Sequence, residues 1–193
     1  MTTLTDIPQA ADERSDAELL HADERASEYA FREFFLRHVD AIRSYARARV
    51  DPHSADDVVA ETFGAAWRIR ARFALDAETA RPWLYGIAAR QLQRLAAREQ
   101  QWQVGLLRGA TPAGVVELDT EGSPALDPDL TRAVARLPLH EREVLLLVAL
   151  GELRLTDAAD ALGISTVAAR VRLHRARRKV TTWLTETADG GES

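Results

Sequence analysis

The chain has 193 residues, no cysteine and a formal charge of −5, which allows one ordinary domain or two small ones and leaves no room for a large multidomain enzyme. Without cysteine there is no disulfide, thiolate zinc site or cysteine nucleophile, and the five histidines (21, 38, 53, 140 and 174) form no HxxxH or HxH pair, so neither metal nor cofactor is expected. Residues 1–16 are acidic rather than basic and then apolar, and no run of 18 apolar residues occurs, so the expectation is a cytoplasmic chain without secretory signal or membrane span.

Residues 1–26, acidic and Ala-rich with weak periodicity, are expected to form a disordered tail. From about Glu28 to Val50, apolar residues recur at three-and-four spacing (Phe31, Phe34, Phe35, Val39, Ile42, Tyr45, Ala46), which predicts a helix ended by Asp51-Pro52. A second helix is predicted from Ser54, with Asp57 three residues on as in a capping box, through Val58, Val59, Thr62, Phe63, Ala66 and Trp67 to Phe73. Pro82 is placed to begin a third, with Trp83, Leu84, Ile87, Ala88, Gln91, Leu92 and Leu95 on one side. These helices make a first lobe, residues 27–103.

Between 104 and 127 the periodicity lapses among Gly105, Gly109, Pro112, Gly114 and the acids Glu117, Asp119 and Glu121, as in a flexible acidic linker. Apolar spacing resumes at Leu130, Val134 and Leu137, and Pro138 opens a helix through Val144 to Leu150 with Gly151 at its C′ position. A short segment Thr156–Leu162, the turn Gly163-Ile164-Ser165 and a proline-free run from Thr166 to about Thr187 complete a second lobe, residues 128–187, before a tail at 188–193. The expected fold is all-α: two small helical domains joined by the linker, the C-terminal one a helix-turn-helix domain, winged-helix-like without the wing.

Charge follows the same division. Residues 29–103 carry +3 and 132–183 carry +5, while the segments around them (1–28, 104–131, 184–193) carry −6, −4 and −3. An acidic chain therefore holds two discrete cationic blocks. The second is the sharper: six positive and no negative charges lie between 170 and 179. At about 100° per residue, Ala169, Leu173, Ala176, Val180 and Leu184 share an apolar sector. Arg170, Val171, His174, Arg175 and Arg178 occupy the opposite one, flanked by Arg172, Arg177 and Lys179. A guanidinium fork matches guanine O6 and N7 in the major groove, and flanking cations neutralise phosphates. Basic residues near a helix C-terminus also favour the macrodipole, but Arg170 and Arg172 lie in the first half, where the dipole opposes them.

The stretch Leu162 to Arg170, continuing through Leu173-His-Arg-Ala-Arg-Arg178, resembles region 4 of the extracytoplasmic-function (ECF) sigma factors of bacterial RNA polymerase. Leu137 to Leu145 is similar to the helix preceding it, and Asp56 to Phe63, Trp67 and Arg81 to Ala88 resemble region 2. The resemblance implies a subunit that binds core RNA polymerase, directs it to promoters and melts the duplex, and not an enzyme. Its partners would be the clamp helices of the largest polymerase subunit, the flap of the second-largest, promoter DNA and an anti-sigma factor able to sequester it at the membrane.

By the same resemblance Arg170, His174 and Arg175 would reach bases of the minus-thirty-five element beside Val171, with Arg172, Arg177, Arg178 and Lys179 nearer phosphate. Arg72, Phe73, Trp83, Tyr85, Arg90 and Arg94 would serve the minus-ten element through the loop from Arg70 to Pro82 and the helix after it. Asp56, Asp57, Glu61 and Phe63 would meet the polymerase core. Aromatics at helical spacing are more often core, which is the plainer reading of Phe73 and Trp83. Asp56 and Asp57 also stabilise a helix start without any partner. Two rival readings are a stand-alone helix-turn-helix regulator and a helical protein whose cationic helix meets an acidic partner.

Overall fold

The computed structural model describes residues 14–23, 25–77, 79–106 and 127–189. The expected linker at 104–127 and both extreme termini fall largely outside the described residues. Among the described residues there are eight α-helices and one 3-10 turn.

The N-terminal segment departs from expectation. Asp16–Leu20 forms α1, opened by a capping box in which the Ser15 hydroxyl accepts from the Glu18 N–H and the Glu18 carboxylate accepts from the Ser15 N–H. Leu19 and Leu20 are buried completely or nearly so, each worth about 1.5–3 kcal/mol of burial, which together with the cap offsets much of the cost of ordering one helical turn. An amphipathic turn with a cap was hidden inside an acidic composition.

The first lobe is built from α2 (Ser27–Arg47), α3 (Pro52–Arg68) and α4 (Arg81–Leu106). Phe34, Val39, Ile42, Tyr45 and Ala46 on α2 face Val58, Val59, Thr62, Phe63 and Ala66 on α3, and Leu84, Ile87, Ala88 and Leu92 on α4 complete the core. The start of α3 corrects the predicted cap: Asp51, not Ser54, is the N-cap, its carboxylate accepting from the Ser54 N–H at 3.1 Å, with Pro52 in the first turn. Proline tolerates that place because its missing N–H has no helical partner there.

The second lobe comprises α5 (Pro128–Ala135), α6 (Leu139–Ala149), α7 (Leu155–Leu162) and α8 (Thr166–Asp189). Ala133 and Leu137 pack on Ala176 and Val180, and Val144 and Ala159 pack on Ala169 and Leu173. Gly151 does not provide the left-handed residue after α6. That conformation belongs to Glu152 (φ 53°), while Gly151 is required for close approach: a Cβ on it would lie 2.5 Å from the Leu147 carbonyl oxygen and 3.1 Å from the Tyr85 ring.

The two lobes are packed on one another rather than set apart. Leu146, Leu147, Leu153 and Ala158 of the second join the core of the first. The crossing of α4 and α7 is close because Gly86 has no side chain: a Cβ there would sit 3.1 Å from the Ala161 carbonyl oxygen. Polar bridges flank this contact, Arg49 to Glu143 at 3.5 Å and Arg81 to Glu152 at 3.5 Å.

Candidate nucleic-acid interface

Helices α7 and α8 meet through a turn whose geometry is local. Gly163 takes the left-handed conformation (φ 65°) that ends α7, and the Ile164 N–H returns to the Ala159 carbonyl at 3.0 Å. The Ser165 hydroxyl then accepts from the Ala168 N–H at 3.2 Å and opens α8. The apolar sector of α8 is buried at Ala169, Leu173, Ala176 and Val180, with Leu184 half-buried.

The opposite face stands clear of the protein. Arg170, Val171, His174, Arg175, Arg177 and Arg178 are exposed, and Arg172 is half-buried. Among the described residues none of the five arginines of α8 has a carboxylate within ion-pair distance, so their field is uncompensated. A shallow groove of about 390 Å³ runs along the same face, lined by His174, Arg177, Arg178, Thr181, Thr182 and Thr185. Lys179 is a correction: its Nζ lies 2.9 Å from Oε2 of Glu141, a carboxylate only 3% exposed, so it neutralises a buried acid and is not free for phosphate.

In the first lobe, a 3-10 turn at Arg70–Arg72 leads into an irregular loop that ends at α4. Arg72, Arg90 and Arg94 are exposed and Trp83 is half-buried, tilted at 50° against Phe73 with ring centroids 5.2 Å apart. Phe73 is 6% exposed and Tyr85 fully buried, edge-on to Tyr45 at 5.1 Å and beneath Gly151. Burial raises the Tyr85 phenol above its usual range. In this arrangement both rings are core and offer no face to a base, which corrects their expected role. A cleft of about 770 Å³ separates this loop from the turn after α6, with Arg72, Trp83, Glu152, Leu153 and Arg154 among its walls.

On α3, Asp56, Asp57 and Glu61 are exposed, and Asp56 pairs with Arg43 of α2 at 3.4 Å. Phe63 is instead 2% exposed, held edge-on between Phe34 and Phe35 at centroid distances of 6.1 and 4.7 Å. It is a packing residue, not a surface contact.

Sequence reasoning missed two features. Leu75, at the loop tip, is 73% exposed, and nothing in its periodicity marks it. The contacts from α1 to the loop were also unforeseen: Asp16 accepts from the Ala80 N–H at 2.7 Å, and His21 Nε2 lies 3.1 Å from the Phe73 carbonyl. The Ser15–Glu18 spacing ahead of Leu19-Leu20 was the available signal for α1. No helix among the described residues is long and apolar enough to cross a membrane.

Comparison with known proteins places these lobes. Residues 34–103 match the family model for sigma-70 region 2, and residues 128–180 the model for sigma-70 region 4. The chain is similar to the RNA polymerase sigma factor NccH of Alcaligenes xylosoxydans xylosoxydans, 32% identical over 178 residues that cover 88% of this chain and 94% of the relative. It is similar to the ECF RNA polymerase sigma factor SigM of Mycobacterium tuberculosis, 28% identical over 169 residues, covering 87% and 84%. Among solved structures it resembles CnrH in complex with the cytosolic domain of CnrY, with a TM-score of 0.61 and 26% identity over 89% of this chain and 95% of that one.

Proposed function

Because this chain belongs to the sigma-70 family of RNA polymerase sigma factors, in the ECF branch, and so directs RNA polymerase to promoters, we propose how its surfaces divide that work. It is a transcription-initiation factor that acts by binding, not by catalysing a reaction, and it works in the cytoplasm. The second lobe, residues 128–187, reads the minus-thirty-five element with α8. Arg170, His174 and Arg175 face the bases, and Arg172, Arg177 and Arg178 face phosphate. This lobe also meets the flap of the second-largest polymerase subunit.

The first lobe, residues 27–103, grips the clamp helices of the largest subunit through Asp56, Asp57 and Glu61. It reads and opens the minus-ten element with Arg72, Trp83, Arg90, Arg94 and the loop between α3 and α4. An anti-sigma protein is the remaining partner and can hold the chain at a membrane it does not itself enter.

The observation that carries this reading is the outer face of α8, where five arginines without a carboxylate partner among the described residues stand on a helix-turn-helix whose inner face is core. Gel filtration with bacterial core RNA polymerase at moderate salt tests the function, with Glu61→Arg run in parallel. Stoichiometric co-elution weakened by the substitution is expected. A protein that elutes alone yet binds duplex DNA would be a stand-alone regulator instead.

A further inference from the structure

We infer that α1 is a positioning element for the minus-ten loop: His21 and Asp16 hold the two ends of that loop, so the N-terminal helix sets its shape and thereby promoter opening and minus-ten base preference. The inference rests on the reading of this loop given above.

The loop has little internal structure to shape it. Past the 3-10 turn its described residues make two weak hydrogen bonds of their own, Ala77 N–H to the Ala74 carbonyl and Arg81 N–H to the Thr79 hydroxyl, both at 3.3 Å. Its ends are instead tied from outside. At one end the Phe73 carbonyl can only accept, so His21 Nε2, 3.1 Å away, carries the proton and donates. At the other, Oδ2 of Asp16 accepts from the Ala80 N–H at 2.7 Å and from the Thr79 hydroxyl at 3.3 Å. Leu75 at the tip borders the same shallow depression as Ser15, Ala17, Glu18 and His21.

Asp16 is itself held rigidly. It is 4% exposed, with His38 Nε2 on Oδ2 and Arg37 Nη1 on Oδ1, both at 2.9 Å from α2. One buried carboxylate thus joins α1, α2 and the base of the loop. Packing alone would not need this arrangement, since Leu19 and Leu20 already secure α1 to the core. Fixing a loop beforehand removes the ordering cost that DNA binding would otherwise meet.

The test uses holoenzyme reconstituted from core RNA polymerase and the full chain, on a duplex that the wild-type holoenzyme recovers from a randomised pool. Asp16→Ala and His21→Phe are compared with His21→Gln, whose amide nitrogen can stand where Nε2 does. Arg72→Ala just before the loop and Trp83→Ala just after it serve as the loop variants and probe the minus-ten surface itself. Retention of the duplex, strand opening by permanganate reactivity, and re-selection from a pool randomised at the minus-ten positions are measured.

Asp16→Ala and His21→Phe are expected to bind core and closed duplex like wild type, to open strands about tenfold less, and to relax minus-ten preference, with His21→Gln restoring both. His21 is exposed, so its variants decide the matter even if Asp16→Ala fails to fold. Wild-type opening and preference in folded α1 variants, while the loop variants are impaired, would overturn the inference alone. Wild-type opening in the loop variants as well would overturn the minus-ten reading and the inference with it.

Discussion

Arg49, in the turn after the first lobe's α2, and Glu143 on the second lobe's α6 meet at 3.5 Å across the junction of the lobes, with side chains only 3% and 7% exposed. Arg49 is further placed by a hydrogen bond to the Tyr45 hydroxyl at 2.9 Å and by stacking over that ring, and Gln93 donates to Glu143 at 3.4 Å. A buried charge left without its partner is worse than no charge at all. Glu143→Ala should therefore lower stability by about 3 kcal/mol, and Arg49→Met combined with Glu143→Leu by clearly less. Thermal melts of Glu143→Ala, of Arg49→Met and Glu143→Leu singly, and of the Met/Leu double check this; losses of the two constituent singles that add strictly in the double would contradict it.

The two structured glycines of the second lobe should respond differently to alanine. Gly163 has open space around its Cβ direction and only a left-handed φ of 65° to strain, so Gly163→Ala should destabilise by about 1–2 kcal/mol. At Gly151 the methyl would strike the Leu147 carbonyl oxygen at 2.5 Å, and backbone cannot swing aside as a flexible side chain does. Gly151→Ala should lower stability by about 3 kcal/mol and shift the urea midpoint further than Gly163→Ala. The reverse order of midpoints would mean that the α6–α7 turn relaxes freely.

Three basic residues of α8 that look alike in sequence should behave as three kinds. Arg175→Ala is expected to lose base preference at one or two positions with about 1–3 kcal/mol of affinity, whereas Arg178→Ala weakens all duplexes alike and reduces the salt slope by about one. Lys179→Ala instead strips Glu141 of its counter-ion and should lower thermal stability by about 1–3 kcal/mol while the salt slope stays as it was. Fluorescence anisotropy on matched and scrambled duplexes across a salt series, beside melting curves, separates the three.

Acid should act through Asp16. Burial by itself would raise the carboxyl, but hydrogen bonds from His38, the Ala80 N–H and Arg37 outweigh it and hold the group at about 2, against its usual 3.8. The folded value being the lower, the stabilisation is complete above pH 4 and is lost as pH falls towards 2, and it amounts to about 2 kcal/mol. In Asp16→Asn the denaturation midpoint should be lower at neutral pH and flatter through that window. An unchanged acid limb would assign the loss to other carboxylates.

What the sequence alone determined lies where chemistry and register are both local. The face of α8 follows from 3.6-residue periodicity, and Arg170, His174, Arg175 and Arg178 stand on the side opposite Ala169, Leu173 and Ala176 as that period requires. The same holds for the stripe of α2 and for the turn at Gly163.

Tertiary structure decided which neighbour each face meets. Tyr85 and Gly86 lie on α4, which is covered on one side by α2 and α3 and on another by α7; periodicity marks a residue as apolar-facing without saying whether a second lobe seals it. Lys179 and Glu141 are 38 positions apart, and Asp16 and Ala80 are 64, so neither pairing leaves a trace in local spacing. At the boundaries, the choice of Asp51 over Ser54 as cap, and of Glu152 over Gly151 as the left-handed residue, followed from where the chain had to turn to pack. Local propensity proposes a face and a boundary, and long-range burial, which carries most of the free energy, selects among them.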